Sequence, residues 1–494
     1  LVVPEDKINT INMNGHNIRR NLAAGTAIVS GQVFLVRKDA ELIINGGTKT
    51  TEHKGTLTPK GLWVNDENGT YSLYGGLISG GSNGDGGGGI HIQKNGKVTL
   101  NSVTLAGNTS LDDYGAGGVR LQHSGSELIL NDSRICYNIA EMGGGGGIRM
   151  EGENAKVTIK NNSSIDNNRT TRDNSDGGGI QINGGGSVTV DSTSQVSYNK
   201  SARRGGGIYL YEGNLKLEDG STLIGNVAKM EGGALYIDEY AATVEISSDF
   251  IGNCVEEEEG GAIYVNDESD ILVENAKFVR NSAKTKGGAI YVDTDDCFSL
   301  AGKCEIYENM PNNLYLTNKK NLASAKMSEG SRVGIFTEWD ATADNNPVET
   351  TYNDIAHFFS DKNNLKVAGK DGKLYYVDAP DDGDTTVPDK YIVNGVEYEL
   401  KNGTFTYNSD LGGNLEAKYF YTDGYFAESP TVYNEHMATT SVNLTLASAT
   451  SDLGEREYTE EVASENIRKF MSDIGYSDMQ IDYTKPAYYG DDAS

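Results

Sequence analysis

Hydrophobic and polar residues alternate in short runs along most of the chain, and these runs recur at a regular spacing. A glycine-rich tag opens each repeat and leads into alternating residues, as in GGGIYL, GGALYI and GGAIYV. Period-two alternation is typical of β-strands with one buried face. The first aliphatic residues after the eight tags are 27–32 residues apart and comprise Ile90, Val119, Ile148, Ile180, Ile208, Leu235, Ile263 and Ile290.

A second marker keeps the same period. It is an asparagine, usually followed one or two residues later by a small residue, at Asn108, Asn138, Asn168, Asn199, Asn226, Asn253, Asn281 and Asn309. Further alternating runs between the markers give about three strands per repeat, which predicts an all-β solenoid, a right-handed parallel β-helix whose coils rise by about 4.8 Å. The tag aliphatics would point inward, and the asparagines would form an internal amide ladder; the alternative is that the asparagines bind a ligand.

The spacing also divides the chain into segments. Residues 8–18, 33–44 and 73–78 look like irregular opening coils, so we assign residues 1–318 to the β-helix and 319–380 to a closing β cap with connecting loops. Residues 381–415 follow as a hinge and hairpin, signalled by Asn394-Gly395 and Asn402-Gly403. Helical periodicity in 435–449 and 460–474 predicts a small α+β segment over 416–494.

The composition agrees with a folded solenoid, and the net charge argues against nucleic acids and anionic membranes as binding partners. The chain has 62 Gly and 8 Pro in 494 residues, yet Gly does not recur at every third position, which excludes collagen. A formal charge of −29 would repel nucleic acids and anionic membrane surfaces. No run approaches the roughly 18 apolar residues that span a bilayer, so we expect no membrane insertion, and any targeting segment to be absent or already removed.

The outward residues beside the tag aliphatics form the clearest candidate surface. Four consecutive tags carry a tyrosine there, which predicts an exposed ladder of rings at about 4.8 Å spacing, flanked by carboxylates and amides. Such a surface suits the C–H faces and hydroxyls of sugars, whereas the alternative is that the rings stack or are covered and only stabilise the sheet. The candidate ligand-binding residues are Tyr209, Tyr211, Tyr236, Tyr264, Tyr291, Asp238, Asn266 and Asp293.

Signals for catalysis or metal binding are weaker. The G-x-S-x-G string at residues 80–84 lies in a glycine tract rather than between a strand and a helix, which a nucleophile elbow requires. Asp293, Asp295 and Asp296 could be the paired acids of a polysaccharide-cleaving β-helix, although the Gly-His and Arg-x-Lys elements of such glycosidases do not follow. We expect no cofactor; the acidic runs 256–259 and 381–389 could bind calcium or be solvated turns.

The four cysteines are too few and too scattered for a disulfide scaffold. Cys297 and Cys304 are close enough in sequence to form a disulfide bond, and two unpaired thiols are the alternative.

Two stretches resemble known families. The GG-x-I-x-V tags and NxA turns resemble the β-helix modules of surface proteins from Gram-positive gut bacteria, which implies an extracellular, secreted or cell-surface adhesin that binds a glycan or host surface without catalysis. Residues 419–450 and 465–481 resemble the entry segment of secreted class 3 lipase-like α/β-hydrolases. That resemblance implies the N-terminal targeting region of a lipase or esterase whose catalytic residues lie beyond residue 494. A polysaccharide lyase or glycoside hydrolase is a second alternative.

Overall fold

The structure, a computed structural model, describes residues 1–20, 31–84, 86–266, 271–293, 298–317, 322–342, 346–349, 355–362, 365–370, 372–378 and seven short strands between residues 390 and 446. The chain forms two compact units, Leu1–Ala379 and Pro380–Ser494. The first unit is an all-β parallel solenoid, as the repeat predicts. Across the described ranges, no helix is long and apolar enough to span a membrane.

Face A of the solenoid is built by the strands that follow the glycine tags. These strands pair in parallel and in register, so that Ile208, Leu235, Ile263 and Ile290 are successive partners in one column. The described face A strands are Val2–Val3, Phe34–Val36, Ile90–Ile92, Val119–Leu121, Ile148–Met150, Ile180–Ile182, Ile208–Leu217, Leu235–Ile246, Ile263–Asn266, Ile290–Asp293 and Leu314–Leu316.

Three further columns complete each coil. Face B contains Ile8–Asn12, Glu41–Asn45, Lys97–Asn101, Glu127–Asn131, Lys156–Lys160, Gly186–Val190, Ile271–Glu274, Phe298–Gly302 and Leu322–Met327, together with the second halves of Ile208–Leu217 and Leu235–Ile246. Face C contains Asn17–Arg19, Gly76–Ser79, Val103–Ala106, Arg134–Cys136, Ser164–Asp166, Gln195–Ser197, Thr222–Ile224, Asp249–Ile251, Lys277–Val279, Glu305–Ile306, Arg332–Thr337 and Phe358–Ser360. The short face D contains Ser82–Asn83, Thr109–Ser110, Ile139–Ala140, Arg169–Thr170, Lys200–Ser201, Val227–Ala228 and Cys254–Val255.

Alternation sends one row of every strand into a continuous apolar interior. Because the strands stack in register, each inward residue packs on the equivalent residue of the next coil. In one face C column Phe250 and Phe278 are partners with ring centroids 4.5 Å apart and almost parallel planes. The inward assignment of the tag aliphatics is therefore confirmed, and all of them are fully buried.

The asparagine ladder is also confirmed. The side-chain amide of Asn226 donates to Oδ1 of Asn253 (3.0 Å) and to the carbonyl of Val196 (2.9 Å), while its own oxygen accepts from the backbone N–H and the amide of Asn199. The same bonds link every coil from Asn108 to Asn309. The ladder continues through Asn313 to the carboxylate of Asp361, which accepts at 2.6 and 2.8 Å. The amide groups of the ladder are thus paired within the protein.

The opening coils are more elaborate than the sequence predicts. Residues 73–78 are not one strand, because Tyr71–Tyr74 joins Glu52–Leu57 and Trp63–Asn65 in an antiparallel insert while Gly76–Ser79 belongs to face C. The insert packs its fully buried Trp63 against the outer side of face C, next to Cys136. Aromatic residues there cover surface that a solenoid coil would otherwise expose.

Parallel stacking continues beyond residue 318, the predicted end of the β-helix. Leu322–Met327 pairs with face B and Arg332–Thr337 with face C, so the next coils form despite the shorter repeat at Pro311. The described part of 319–380 then adds the antiparallel strands Val348–Glu349, Leu365–Lys370 and Lys373–Asp378. That these antiparallel strands act as a closing cap for the solenoid stays a prediction.

The described part of the second unit consists of short antiparallel strands. Lys390–Val393 pairs with Val396–Lys401, and the latter with Thr404–Asn408; the Asn-Gly residues predicted to turn between them lie outside the described residues. The remaining strands are Asn414–Ala417, Phe420–Thr422, Tyr425–Ala427 and Thr445–Leu446. Thr445–Leu446 was predicted to be helical, but it pairs with Leu415 and Glu416 as a strand, in keeping with its β-branched, alternating sequence. The hinge 381–389, the helix 460–474 and most of the hydrolase-like segment lie outside the described residues.

Because each asparagine of the internal ladder bonds both neighbouring coils, we expect the loss of one side-chain amide to lower the free energy of unfolding substantially. Replacing Asn226 with Ala would remove the acceptor of the buried Asn199 backbone N–H, one of the two acceptors of the Asn199 amide and the amide donor to the Val196 carbonyl, and we expect a loss of about 2–4 kcal/mol. Asn45→Ala is the matched control, because Asn45 belongs to a surface ladder with Asn12 and Asn101 that water can replace. Urea unfolding measures both; equal midpoints would contradict a structural role of the internal ladder.

Candidate functional site

The tag tyrosines form the continuous ring stack that the alternation predicts. Tyr209, Tyr236, Tyr264 and Tyr291 are register partners, with neighbouring ring centroids 5.1–5.3 Å apart and planes within 22° of parallel. The stack continues through Tyr315 and Phe336. The sequence analysis missed these two because the shorter repeat at Pro311 interrupts the tag spacing, although the alternating LYL run at 314–316 was a usable signal.

This stack is buried, which corrects the prediction of an exposed ladder. Tyr236 is only 1% exposed, and the other three predicted ring positions are 6–7% exposed. The first glycine of each of the four tyrosine-bearing tags has a positive φ and folds the turn onto the tyrosine four residues later; a Cβ on Gly232 would lie 2.9 Å from the Cα of Tyr236. The guanidinium of Arg204 covers the same ring at 4.8 Å. The ring faces therefore contact protein, as the structural alternative proposes.

The hydroxyl edges of the stack are bound by the next outward row. Tyr209 donates to Asp238 at 2.7 Å and Tyr264 donates to Asp293 at 3.1 Å, while the amide of Asn266 donates to Asp238 at 3.3 Å. Burial raises the pKa of both tyrosines, so both stay neutral donors. Asp238 is buried, Asn266 is half-buried and Asp293 is exposed. These candidates are close together, but their main contacts hold the stack.

In the earlier coils the same row carries polar and charged side chains. Arg120 donates to Glu151 at 2.9 Å and to Asp112 at 3.1 Å, and Arg149 shares Glu151 at 2.9 Å. Burial lowers the pKa of Arg149, although Glu151 opposes the shift. Two guanidiniums thus pair with two carboxylates, and the network is neutral.

An exposed aromatic pair lies at the junction of faces A and B. Tyr211 and Tyr240 are 37% and 53% exposed, with ring centroids 5.1 Å apart and planes inclined by 57°. We call this pair the tyrosine platform. Ile208–Leu217 and Leu235–Ile246 run through the junction without a break, and their pairing shifts register on both sides of Glu212 and Gly213. A bulge of this kind redirects side chains, and it sets Tyr240 opposite Glu212.

The sequence predicted only one of the two residues of the tyrosine platform. Tyr211 belongs to the predicted set, whereas Tyr240 was missed because strict alternation places Asp238, not Tyr240, in the row of Tyr211. The two extra residues in Leu235–Ile246 were the available signal: the run from the tag to the face B aliphatics is two residues longer there than in Ile208–Leu217.

Three glutamate carboxylates lie close together in the turns that precede the face A strands. Oxygens of Glu231, Glu258 and Glu259 lie within 4.8 Å of one another, which places part of the predicted acidic run beside a residue of the preceding coil. Glu231 already pairs with Arg204, and Glu259 accepts from Thr285 at 3.0 Å. Burial raises the pKa of Glu231, with the neighbouring glutamates adding to the shift. Calcium at this group stays a prediction.

The candidate catalytic residues occupy structural positions where they are described. Ser82 lies in a face D strand and is 2% exposed, and the next element is the face A strand Ile90–Ile92. A nucleophile elbow would need an exposed serine before a helix. Asp295 and Asp296 lie outside the described residues. Cys304 is a buried free thiol whose pKa burial raises to about 11; Cys297, its proposed partner, lies outside the described residues.

If the stack is structural, its rings matter for stability and its hydroxyls matter little. We expect Tyr236→Ala to cost about 3–5 kcal/mol and Tyr236→Phe less than about 1.5 kcal/mol. Tyr240→Ala, which truncates a ring that is 53% exposed, is the control and should stay within about 0.5 kcal/mol of the unchanged protein. Urea unfolding compares the three; a Tyr236→Ala protein as stable as the control would refute the structural role.

The turns over the stack should respond to pH through Asp176. Burial raises its pKa to about 6, although Arg203 and Arg204 oppose the shift. The folded protein therefore binds this proton more tightly than the unfolded chain, so the contribution is complete below about pH 4 and is lost as the pH rises through about 6. We expect the stability of the native protein relative to Asp176→Asn to fall by about 2 kcal/mol between pH 4 and pH 7.5. Parallel pH profiles of unfolding would contradict this assignment.

One family pattern matches the chain. Residues 275–293 match the repeat described as the Chlamydia polymorphic membrane protein (Chlamydia_PMP) repeat. The matched stretch includes the face C strand Lys277–Val279, the ladder residue Asn281 and the face A strand Ile290–Asp293 with its stacked tyrosine. No curated protein and no solved structure matches the chain. The matched repeat and the parallel β-solenoid together fit a surface-exposed repeat protein.

Proposed function

We propose that this chain is a surface-exposed, autotransporter-like adhesin module that presents a glycan-binding platform on the side of a rigid β-solenoid. The solenoid supports this because its coils are joined by in-register backbone bonds and by an amide ladder from Asn108 to Asp361. A rod of this construction holds side chains of distant coils at fixed spacing. It can therefore present a binding surface without rearrangement of its backbone.

The tyrosine platform is the observation that carries the proposal. Tyr211 and Tyr240 are exposed aromatic rings in mutual contact, on strands that belong to the main sheet and not to a loop. An exposed pair of rings loses apolar contact with solvent when the C–H face of a sugar stacks on it. Glu212, which is exposed and is the register partner of Tyr240, provides a carboxylate for sugar hydroxyls.

In this proposal the buried tyrosine stack supports the platform and does not bind the glycan. Tyr209 hydrogen-bonds Asp238, which lies two residues before Tyr240, so the stack fixes the backbone beneath the platform. Ring faces at Tyr236 and Tyr264 are occupied by neighbouring rings and do not contact the glycan. Binding and support are thus assigned to different tyrosines.

A glycan array with the purified chain tests the assignment. We expect Tyr211→Ala/Tyr240→Ala to lower affinity for the bound glycan at least about tenfold, because stacking on aromatic rings supplies much of the contact. Tyr114→Ala is the matched control, since Tyr114 is 63% exposed on a turn in an earlier coil. Circular dichroism should show the same fold in all three proteins. Unchanged binding by the double variant would remove the platform from the proposal.

A further inference from the structure

The outer side of face B is charge-balanced over its first six described coils, although the net charge of the chain is −29. The strands of these coils, from Ile8–Asn12 to Gly186–Val190, pair in parallel and in register. Alternation directs three residues of each coil outward, so the surface consists of three columns. The charged residues of these columns are three lysines, two glutamates and one aspartate. We call this surface the neutral face.

The first column of the neutral face alternates in sign. Its register partners from the second to the fifth coil are Glu41, Lys97, Glu127 and Lys156. Nζ of Lys97 lies 3.3 Å from the carboxylate of Glu127, and both lysines are exposed. When the order of this column is reversed, each acid comes to the level of a base. The column is therefore complementary in charge to a copy of itself that runs in the opposite direction.

The second column is built from β-branched residues, which comprise Thr10, Ile43, Thr99, Ile129, Thr158 and Thr189. All of them are half-buried except Thr10, which is exposed. β-branched side chains are short and have few rotamers, so two such columns can pack together with little loss of side-chain entropy. This column supplies the apolar contact of the neutral face.

The third column begins with an amide ladder on the surface. Asn45, Asn101 and Asn131 each donate one side-chain N–H to the asparagine of the preceding coil, at 2.8–2.9 Å. A side-chain amide has two N–H donors, and these bonds use one of them. Within the described residues, the ladder therefore keeps donors and acceptor lone pairs for the groups of a surface that approaches face B.

We propose that the neutral face joins two copies of this chain face to face, with their solenoid axes antiparallel. The two-fold axis lies between the coils of Lys97 and Glu127 and runs parallel to the strands. It sets Lys97 of one copy opposite Glu127 of the other, and Glu41 opposite Lys156. At the central levels β-branched residues face each other in the second column, and amides face amides in the third. Such an interface is isologous, because the same patch serves both copies.

The spacing and the charge of the neutral face favour a second copy as its partner. Its columns repeat at about 4.8 Å, and a second copy has the same repeat, so each of the coils meets a coil at its own level. Outside this surface two copies repel each other, because the chain is acidic. In later coils of face B the third column contains Glu218 and Glu274, and the balance of charge is lost there.

The area of the neutral face predicts a weak dimer. Its six coils and five-residue strands cover roughly 29 Å by 16 Å. This is less than the area of about 800 Å² per partner that standard interfaces bury. We therefore expect reversible association with a Kd on the order of 10–100 μM.

The proposed dimer leaves the tyrosine platform accessible. Tyr211 and Tyr240 belong to the two coils that follow Gly186–Val190, so they lie outside the contact. The dimer does not depend on the proposed function, but it would carry two platforms. Two linked sites bind a multivalent glycan surface more tightly than one site does.

Sedimentation equilibrium of the full chain measures the association. Lys97→Glu would set glutamates opposite Glu127 of the other copy, and Glu127→Lys would set lysines opposite Lys97, so each should raise the Kd of the unchanged chain at least about tenfold. Mixed in equal amounts, the two variants should form a heterodimer in which opposite charges face each other again. Its Kd should lie within about threefold of that of the unchanged chain.

Lys216→Glu is the matched control. Lys216 is an exposed lysine of face B whose Nζ lies 3.5 Å from Glu245 of the next coil, but its coil lies beyond the neutral face. The substitution changes the net charge by the same amount as Lys97→Glu and should leave the Kd within about twofold of its original value. Circular dichroism should show the same fold in all four proteins.

Each outcome decides one part of the inference. A chain that stays monomeric up to about 0.5 mM overturns the dimer. Lys97→Glu and Glu127→Lys proteins that associate like the unchanged chain, or a Lys216→Glu protein that loses association to the same extent as they do, reject the neutral face as the interface. If both single variants are folded and monomeric but their mixture does not associate, the antiparallel register is wrong.

Discussion

In-register stacking of one coil on the next is the constraint on which the whole solenoid depends. Parallel backbone bonds fix the rise at about 4.8 Å per coil, so equivalent residues must pack on each other whatever their chemistry. Aliphatic side chains satisfy this requirement by burial, and asparagines do so by passing a hydrogen bond from each amide to the next. The turns are the difficult point, because their backbone groups are buried at a corner, and there the amide ladder provides the partners.

In-register stacking also limits which charged residues can occupy the outer columns of this chain, whose net charge is −29. Like residues in a column repel if they are charged, so charged side chains over face A are paired with opposite charges, as Arg120 and Arg149 are with Glu151, or the column uses rings. Arg204 and Glu231 are neighbours in the turn column, and the tyrosines below them stack with no charge at all. The cation of Arg204 also covers the ring of Tyr236, which couples the two columns. The stack is thus part of the scaffold that holds the turns.

Distinct surface chemistry appears where the repeat is broken. In a regular coil the turn folds back over the first outward row and leaves little aromatic surface accessible. The bulge between Leu210 and Asn214 shifts the register and exposes Tyr211 and Tyr240 beside Glu212. A surface that differs from coil to coil can be recognised by a ligand at one place, whereas a perfect repeat would present the same chemistry along its length. The matched Chlamydia polymorphic membrane protein repeat at 275–293 lies in the regular part, and the platform lies outside it.

The sequence by itself determined the solenoid, because alternation and a 27–32-residue period are local properties that any observer of the chain can count. It also determined the inward aliphatics and the asparagine ladder, since these follow from one residue per coil at a constant position. It did not determine which outward residues reach solvent. Tyr236 and Tyr211 have the same alternating context, yet only the tertiary structure shows that a turn covers one and a bulge exposes the other. Exposure depends on what the rest of the chain places above a residue, and strand periodicity contains no information about that cover.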